Sequence, residues 1–340
     1  MTTDILEDAE RLSAAGAWDE AIDLLTVANR ASRDDQIERK ITDLRHRSWV
    51  ALTSAVPDPP VPADPAAPPI GASGLPEISL QEMTAGAVRA ALESHGALYV
   101  PAALDQTAVQ SLIGTIERAL AQVTDPDDLD DRGDSTYYPL KADRLALDTL
   151  PERPQALRRR FITEAGGVLL ADSPRGMFEL LELYGSLGLH DVVQDFLGDR
   201  PVMSANKCTM RRVEPDKIGG WHQDGAFLGD HIRAINIWLA LTDCGVDAPG
   251  LDLVADRMDH IVETGTEGSF FDWAVGDPVI ERLNAPIVRP QITAGDIVIF
   301  DEMNLHRTAT APGMTVHRHA IEFWCFAAST YPKGHIPLVW

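Results

Sequence analysis

From Pro201 to the C-terminus the chain consists of short apolar runs separated by glycine, proline and aspartate residues. The runs are rich in β-branched and aromatic residues, which favour strands. In order, they read VMSANKCTMRRV, AINIWLALTDC, GDIVIF and VHRHAIEFWCFA. Several short strands with turns between them predict a β-barrel or a jelly roll. The fold class is therefore expected to be mainly β.

Helical patterns precede this β-rich part. The segment ISLQEMTAGAVRAALESHGALYVPAAL contains a helical pattern that leads to a short apolar strand at Ala97 to Val100. A second helical pattern runs through Val109 to Val123. The C-terminal domain is thus expected to cover residues 77–340 and to carry helices beside its sheets.

A Pro/Ala-rich segment, VPDPPVPADPAAPPIGASGLP, occupies residues 56–76. Such a composition does not pack as a regular element and predicts a semi-rigid, extended linker. We place the domain boundary at this segment, with an N-terminal unit over residues 1–55.

The N-terminal unit has helical periodicity, because its apolar residues recur at spacings of three, four and seven, with a break at Gly16. A small helical hairpin is expected, with one further helix in DQIERKITDLRHRSW. The hairpin stretch resembles a tetratricopeptide repeat, and the residues at that repeat's characteristic offsets are Ala9, Leu12, Gly16, Trp18, Ala21 and Ala28. One copy leaves two interpretations open: a helical cap or dimerisation hairpin, or a unit that binds a peptide.

The charge and cysteine content exclude several classes of partner. With 29 basic and 52 acidic residues the formal charge is -23, which repels nucleic acids and anionic membranes.

The acidic N-terminus lacks the pattern of a signal peptide, and no apolar run is long enough to cross a membrane. The three cysteines are scattered without a CxxC spacing, which indicates reduced thiols. A cytoplasmic protein is expected.

The stretch GGWHQDG places His222 two residues before Asp224. In a strand, residues i and i+2 point to one face about 6.7 Å apart, so these side chains can converge on one ion. A third ligand is expected at His306, which follows the strand in GDIVIFDEMNLHRT. Arg318 comes twelve residues later, in the strand VHRHAIEFW.

This order of a His-x-Asp pair, a distal histidine and an arginine on the next strand resembles the phytanoyl-CoA dioxygenase family of iron(II)/2-oxoglutarate oxygenases. The resemblance covers about Pro76 to Trp340. It is carried by WHQDG, by AINIWLALTD followed by APGLDLV, by GDIVIFDEMNLHRT and by RHAIEFW. It implies a double-stranded β-helix, which is a jelly roll, with flanking helices.

The resemblance also implies a cofactor set and a role for each residue of the pattern. Two imidazoles and one carboxylate, from His222, Asp224 and His306, would hold iron(II) and leave positions open for 2-oxoglutarate and O2. Arg318 would bind the distal carboxylate of 2-oxoglutarate, with the hydroxyl of Thr308 beside it. No catalytic residue beyond the metal ligands is implied. Because Asp224 fills the carboxylate position, hydroxylation is expected rather than halogenation.

Six residues near the pattern are candidates for contact with the substrate. Lys207 and Arg211 precede the WHQDG motif and are candidates to meet an anionic group or to lie on a solvated face. The aromatic and amide candidates are close to the motif in sequence: Trp221, Phe227, Asn236 and Trp238. For Trp238, which lies in an apolar strand, packing in the core is the alternative.

A second metal site of the cupin type would use His317, His319 and Glu322. Alternation along a strand separates the two hypotheses, because inward histidines would turn Arg318 outward. We favour an inward Arg318, since the cupin set leaves His222 and Asp224 without a role.

The predicted activity is hydroxylation of an unactivated C–H bond in a small-molecule metabolite, with release of succinate and CO2. One alternative is a hydroxylase whose peptide or carrier-tethered substrate is captured by the N-terminal helices. Another is a non-catalytic jelly-roll scaffold. Residues 1–55 are the expected site of any protein partner or self-association.

Overall fold

The computed structural model describes residues 2–52, 57–123, 159–229 and 231–340. The predicted boundary between residues 55 and 56 lies outside these ranges. None of the described helices is long and apolar enough to cross a membrane.

The N-terminal helices form a small bundle. The first two are antiparallel neighbours joined at Gly16, whose φ of +81° suits a glycine. The third begins after Asp34, whose side chain accepts hydrogen bonds from the free backbone N–H groups of Gln36 and Ile37. The bundle consists of α1 (Thr2–Ala14), α2 (Trp18–Ala31), α3 (Asp35–Arg47) and the single turn α4 (Trp49–Leu52).

Past the linker, short helices alternate with the first strands. The predicted helix, strand and helix between residues 85 and 122 are confirmed. The elements are α5 (Ala85–His95), β1 (Ala97–Val100), α6 (Gln106–Gln122), α7 (Arg159–Glu164), β2 (Gly167–Leu169), α8 (Pro174–Ser186) and α9 (Leu189–Leu197).

The strand-rich C-terminal part is confirmed as well. Its elements are β3 (Pro201–Ser204), β4 (Thr209–Val213), α10 (Gly225–Leu228), β5 (Ala234–Ala240), β6 (Gly250–Val254), α11 (Asp277–Leu283), β7 (Ile287–Val288), β8 (Ile297–Phe300), β9 (His306–Ala309), β10 (Arg318–Ala327) and β11 (Pro337–Val339).

Two antiparallel sheets form the double-stranded β-helix, or jelly roll, that the sequence predicts. The larger sheet has the order β1-β8-β5-β10-β3-β11, and β4 pairs with both β10 and β2. The smaller sheet has the order β7-β6-β9. The long strand β10 is the centre of the larger sheet, with β5 on one side and β3 and β4 on the other. The main hydrophobic core lies along this sheet and the helices that cover it.

The N-terminal bundle packs directly on the jelly roll. Phe178 of α8 is buried among apolar residues of α2 and α3, including Leu25 and Leu44. From α3, Arg45 donates to the carbonyl of Val339, with Nη1 and O 2.8 Å apart. The last turn of α3 therefore contacts the edge strand β11.

The Pro/Ala-rich segment also contacts the domain, although residues 57–69 have no regular secondary structure. The N–H of Val61 donates to the carbonyl of Asp195 at 3.0 Å, and Arg89 donates to the carbonyl of Val61. The N–H and the carbonyl of Val61 thus both have hydrogen-bond partners, on α9 and α5 respectively. The segment therefore lies along these two helices.

Candidate metal centre

His222 and His306 are brought together by a pair of backbone hydrogen bonds. Each residue donates its N–H to the carbonyl of the other, at 2.9 and 3.0 Å. His306 is the first residue of β9, so His222 extends the smaller sheet by one bridge. The two imidazole rings lie side by side, with centroids 4.4 Å apart.

Asp224 reaches the same place by a different route from the one predicted. Strand alternation was expected to turn His222 and Asp224 to one face, but the chain leaves the strand after His222. Asp224 has helical backbone angles, and α10 begins at Gly225. This turn places Asp224 Oδ2 3.8 Å from His306 Nε2. One ligand atom from each of the three residues lies within 4.8 Å of the others.

The second nitrogen of each imidazole is already engaged. His222 Nδ1 lies 2.9 Å from the carbonyl of Gly220, and His306 Nδ1 lies 3.1 Å from the carbonyl of Asn304. A carbonyl accepts, so each Nδ1 carries the proton and each Nε2 presents a lone pair. This tautomer is the one that a metal ion requires of both rings.

The charge states also suit a divalent metal. Burial, and then the neighbouring His222, lower the pKa of His306 to about 4, so the ring is neutral at physiological pH. Burial alone would raise the pKa of Asp224, but the charges of Lys207 and the two histidines more than offset it, and the pKa is lowered. The cluster therefore offers a neutral His306 imidazole and an ionised Asp224 carboxylate beside His222.

Gln223 points away from the cluster and joins the surrounding loops. Its side-chain NH2 donates to the carbonyls of His260 and Met303, and its oxygen accepts from the N–H of Val262 at 2.7 Å. The side chain is fully buried. Gln223 thus supports the turn that carries Asp224.

Arg318 is the first residue of β10 and is 2% exposed. Its Nη1 donates to the carbonyl of Gly250 at 2.9 Å, and its guanidinium lies 5.4 Å from the centroid of Trp238. Its Nε has no hydrogen-bond partner. Within the described ranges, no carboxylate is close enough to Arg318 to form an ion pair. Burial lowers its pKa to about 10. A buried cation without a counter-ion is costly, so this position suits an anionic ligand.

Thr308 lies two residues after His306 on β9, so alternation turns both side chains to one face. Gly219 approaches this strand closely. A Cβ atom at Gly219 would lie 3.1 Å from Thr308 Cβ and from the Thr308 backbone nitrogen. One of the glycines that flank the His-x-Asp motif therefore lets its loop pass close beside β9.

The two basic substrate candidates form ion pairs within the jelly roll. Lys207, in the turn between β3 and β4, contacts Asp224 Oδ1. Arg211 on β4 pairs with Glu322 on β10, with Arg211 Nε 2.9 Å from a Glu322 carboxylate oxygen. Both are mostly buried, so neither lies on an outward solvated face.

The aromatic and amide candidates lie in different surroundings. Phe227 on α10 is 40% exposed and contacts Lys207. Asn236 and Trp238 are buried on β5, and Asn236 Oδ1 has no hydrogen-bond partner. Trp221 packs in a separate apolar cluster under the guanidinium of Arg307, 4.6 Å from the ring centroid. The structure therefore brings Phe227 close to the metal ligands and does not bring Trp221 there.

Two aromatic contacts of the ligands were not predicted. Trp273 lies edge-on to His222, with ring centroids 5.4 Å apart, and Phe300 lies 4.6 Å from His306. Phe300 ends the strand in GDIVIF and is six residues before His306. This short separation in sequence could have indicated the contact. Trp273 lies in the glycine-flanked loop GSFFDWAVG, and its closeness to His222 depends on the tertiary fold.

The cupin alternative is wrong in this structure. His317 Nε2 lies 2.7 Å from Glu214, and His319 Nε2 lies 2.6 Å from Glu117, both away from the cluster. Alternation along β10 turns Arg318 inward instead. Among the described residues, His222, Asp224 and His306 form the one group of three that could hold a metal ion.

Comparison with solved structures finds proteins of low sequence identity. The carbocyclase SnoK from nogalamycin biosynthesis, described as non-heme and alpha ketoglutarate dependent, is 16% identical, with 74% of this chain and 87% of that chain covered and a TM-score of 0.48. EctD from S. alaskensis, in its apoform, is 19% identical, with 82% and 85% covered and a TM-score of 0.47. The epimerase SnoN, in complex with Fe3+, alpha ketoglutarate and nogalamycin RO, is 16% identical, with 72% and 84% covered and a TM-score of 0.45.

No curated protein matches the chain by sequence. The model of the phytanoyl-CoA dioxygenase (PhyH) family matches residues 92–313. It begins after the N-terminal helices and so lends no support to the tetratricopeptide resemblance. It includes all three metal-ligand candidates, and it covers more than half of the 340 residues. The chain therefore belongs to the phytanoyl-CoA dioxygenase family, whose members are non-haem iron, 2-oxoglutarate-dependent enzymes.

Proposed function

We propose that the protein is an iron(II)- and 2-oxoglutarate-dependent dioxygenase that hydroxylates an unactivated C–H bond of a small-molecule metabolite. The observation that carries this proposal is the presence of two complementary features in one jelly roll. One is the cluster of His222, Asp224 and His306, and the other is the buried guanidinium of Arg318 without a carboxylate partner among the described residues.

Strand β6 relates these two features in space. Leu253 pairs with His306, and the carbonyl of Gly250 accepts from Arg318. Residues three apart in a strand are separated by about 10 Å. A small dicarboxylate can therefore meet the metal with one end and the guanidinium with the other. This arrangement fits 2-oxoglutarate, whose two carboxylates lie at opposite ends of a short chain.

The donor set fits iron(II). Two neutral imidazoles and one carboxylate make a facial set of three ligands with open positions on the other side. With iron(II), 2-oxoglutarate and O2 bound, the site would supply oxidative decarboxylation to succinate and CO2, coupled to oxidation of a substrate C–H bond. His222, Asp224 and His306 would hold the metal, and Arg318 with Thr308 would orient the 2-oxoglutarate.

Hydroxylation of a small molecule has support from three further observations. Asp224 would supply the carboxylate ligand, and a bound metal would then lack the vacant position that halogenation needs. The buried apolar residues of α2 and α3 pack around Phe178, so this surface is occupied within the protein. Phe227 and Trp273, beside the ligands, offer aromatic surface for a substrate. Lys207, Arg211, Asn236 and Trp238 remain candidates for the wall of this site.

The test of the proposal is succinate release from 2-oxoglutarate in the presence of iron(II) and O2, measured across a metabolite library. Mass spectrometry should find a product that has gained one oxygen atom. Asp224→Ala should abolish both signals, because the two imidazoles alone hold the metal weakly. Asp216→Ala changes an exposed aspartate of the same segment and should behave as the unmodified protein.

Two outcomes would contradict this function. Succinate release that persists in Asp224→Ala would show that the cluster is not the metal site. Failure of the intact protein to bind iron(II) together with 2-oxoglutarate under anaerobic conditions would favour the scaffold alternative.

A further inference from the structure

Lys207 has an unusual position for a lysine in a metal site, because its ammonium contacts a metal ligand. Its Nζ donates to Asp224 Oδ1, and its side chain is only 17% exposed. The backbone around it is held by the tight turn between β3 and β4, in which the Lys207 N–H donates to the carbonyl of Ser204 at 3.1 Å. The side chain is therefore held at its base by this turn and at its tip by Asp224.

Two aromatic rings confine the ammonium. Nζ lies 4.8 Å from the ring centroid of Phe227 and 5.0 Å from that of Trp324. Aromatic faces attract a cation but accept no conventional hydrogen bond from it. Within the described part of the chain, Asp224 Oδ1 is the one acceptor that Nζ reaches. The two rings thus direct the charge of Lys207 toward Asp224.

The two oxygens of Asp224 consequently have different tasks. Oδ1 accepts from Lys207, whereas Oδ2 lies on the side of His306, 3.8 Å from its Nε2. A carboxylate can bind a metal through one oxygen or through both. Binding through both would take a further coordination position, and the facial site has only as many open positions as 2-oxoglutarate and O2 need.

We infer that Lys207 is a positioning residue that occupies Oδ1 of Asp224 and so keeps this carboxylate a one-oxygen ligand. The coordination positions for 2-oxoglutarate and O2 then stay open. This inference rests on the proposed function, since it concerns the same metal and co-substrate.

Electrostatics gives the inference a signature that simple structural support would not give. An ammonium beside a divalent metal repels it, so Lys207 does not serve to tighten metal binding. Removal of its charge should leave metal affinity equal or higher, because repulsion is lost and a second oxygen becomes free. The affinity for 2-oxoglutarate should fall, because the released oxygen competes for its position.

The experiment compares the full-length protein with Lys207→Met, which keeps the length of the side chain and removes the charged donor. Mn(II) affinity is measured by electron paramagnetic resonance, and 2-oxoglutarate affinity by anaerobic titration of the Fe(II)-loaded protein. The Lys207→Met variant should bind Mn(II) at least as tightly as the unmodified protein. Its Kd for 2-oxoglutarate should rise roughly tenfold or more, because the variant lacks the charged hydrogen bond that holds Asp224 Oδ1 out of the competition.

Two further variants complete the test. Lys207→Arg keeps a charged donor and should recover most of the 2-oxoglutarate affinity. Lys207→Leu is measured beside Lys207→Met, with melting temperatures for both, so that the result does not depend on the folding of one variant.

The inference is overturned if the Kd for 2-oxoglutarate stays within about twofold of the unmodified value, or if both affinities fall together. If instead the unmodified protein binds Mn(II) but no 2-oxoglutarate, the proposed function is wrong, independently of Lys207.

Discussion

At the scale of single residues, Arg318 shows how a buried charge indicates a ligand. Its guanidinium donates to one backbone carbonyl, and its Nε has no partner. The planar fork of an arginine can bind a carboxylate through two parallel hydrogen bonds, which a lysine cannot do. The surroundings of Arg318 in the structure therefore indicate a carboxylate ligand more strongly than its position in the sequence does.

We predict that Arg318→Lys raises the Kd for 2-oxoglutarate roughly tenfold or more and leaves Mn(II) affinity unchanged. The charge remains, but the fork is lost. Anaerobic titration with 2-oxoglutarate measures the effect. Arg212→Lys is the matched control, because Arg212 lies on β4 in a partly exposed pair with Glu117. Equal Kd values for Arg318→Lys and the unmodified protein would remove Arg318 from the co-substrate site.

Glu302 makes stability depend on pH. Burial, and then the charge of Asp301, raise its pKa from 4.5 to about 8. The folded state therefore holds this proton at pH values where the unfolded state has lost it. Stability from this group is complete below pH 4.5 and is lost as pH rises toward 8, with a slope of up to about 1.4 kcal/mol per pH unit.

We predict that Glu302→Gln reduces this loss of stability between pH 4.5 and 8. The amide oxygen can still accept the hydrogen bond that the N–H of Ala234 donates to Glu302 at 3.2 Å. Urea unfolding at several pH values gives the free energy of unfolding of both proteins. The difference between variant and unmodified protein isolates the contribution of Glu302. Parallel pH curves for the two proteins would show that Glu302 is ionised in the folded state.

At the scale of elements, helix α3 joins the N-terminal bundle to the jelly roll. Its first turn is capped by Asp34, and its last turn reaches β11 through Arg45 and through His46, whose Nδ1 lies 2.9 Å from the carbonyl of Pro337. Because α3 is one continuous helix, loss of the Asp34 cap should also weaken the packing of its last turn against β11.

We predict that Asp34→Ala lowers the free energy of unfolding by about 1 kcal/mol, because two backbone N–H groups lose their acceptor. Asp34→Asn retains a capping oxygen and should lose much less. Chemical denaturation followed by circular dichroism measures both. Equal losses in the two variants would mean that the cap is not the cause.

At the scale of the whole molecule, the N-terminal helices and the jelly roll share a buried interface. Phe178 belongs to the hydrophobic cluster of the helices, although it is part of α8. Ion pairs such as Arg175 with Glu38 and Arg30 with Glu182 border this interface. The bundle is thus expected to unfold together with the rest of the chain.

We predict that removal of residues 1–52 lowers the melting temperature by more than about 5 °C, since Phe178 and the edge of β11 become exposed. The full chain should unfold in one calorimetric transition. If the truncated protein has the same melting temperature as the full chain, the helices are an independent unit. A helical arm that captures a substrate would require such independence.

Much of the fold follows from local patterns in the sequence. The strand at Ala97 to Val100 and the β-rich part after Pro201 were predictable because apolar runs and turn residues are local signals. The turn of Asp224 into α10 was not predictable. Strand and helical backbone are both compatible with WHQDG, and its contacts with distant loops, such as those of Gln223, decide between them.

The sequence by itself determined the candidate ligand set, because the order and spacing of His222, Asp224, His306 and Arg318 are properties of the chain. It also determined the strands that begin at His306 and Arg318, through apolar pattern and turns. Only the tertiary structure decided which charges meet: Lys207 contacts Asp224, Arg211 pairs with Glu322, and Arg318 has no carboxylate partner in the described ranges. The physical reason is that electrostatic and packing interactions depend on distance in space, which strand pairing across many residues sets.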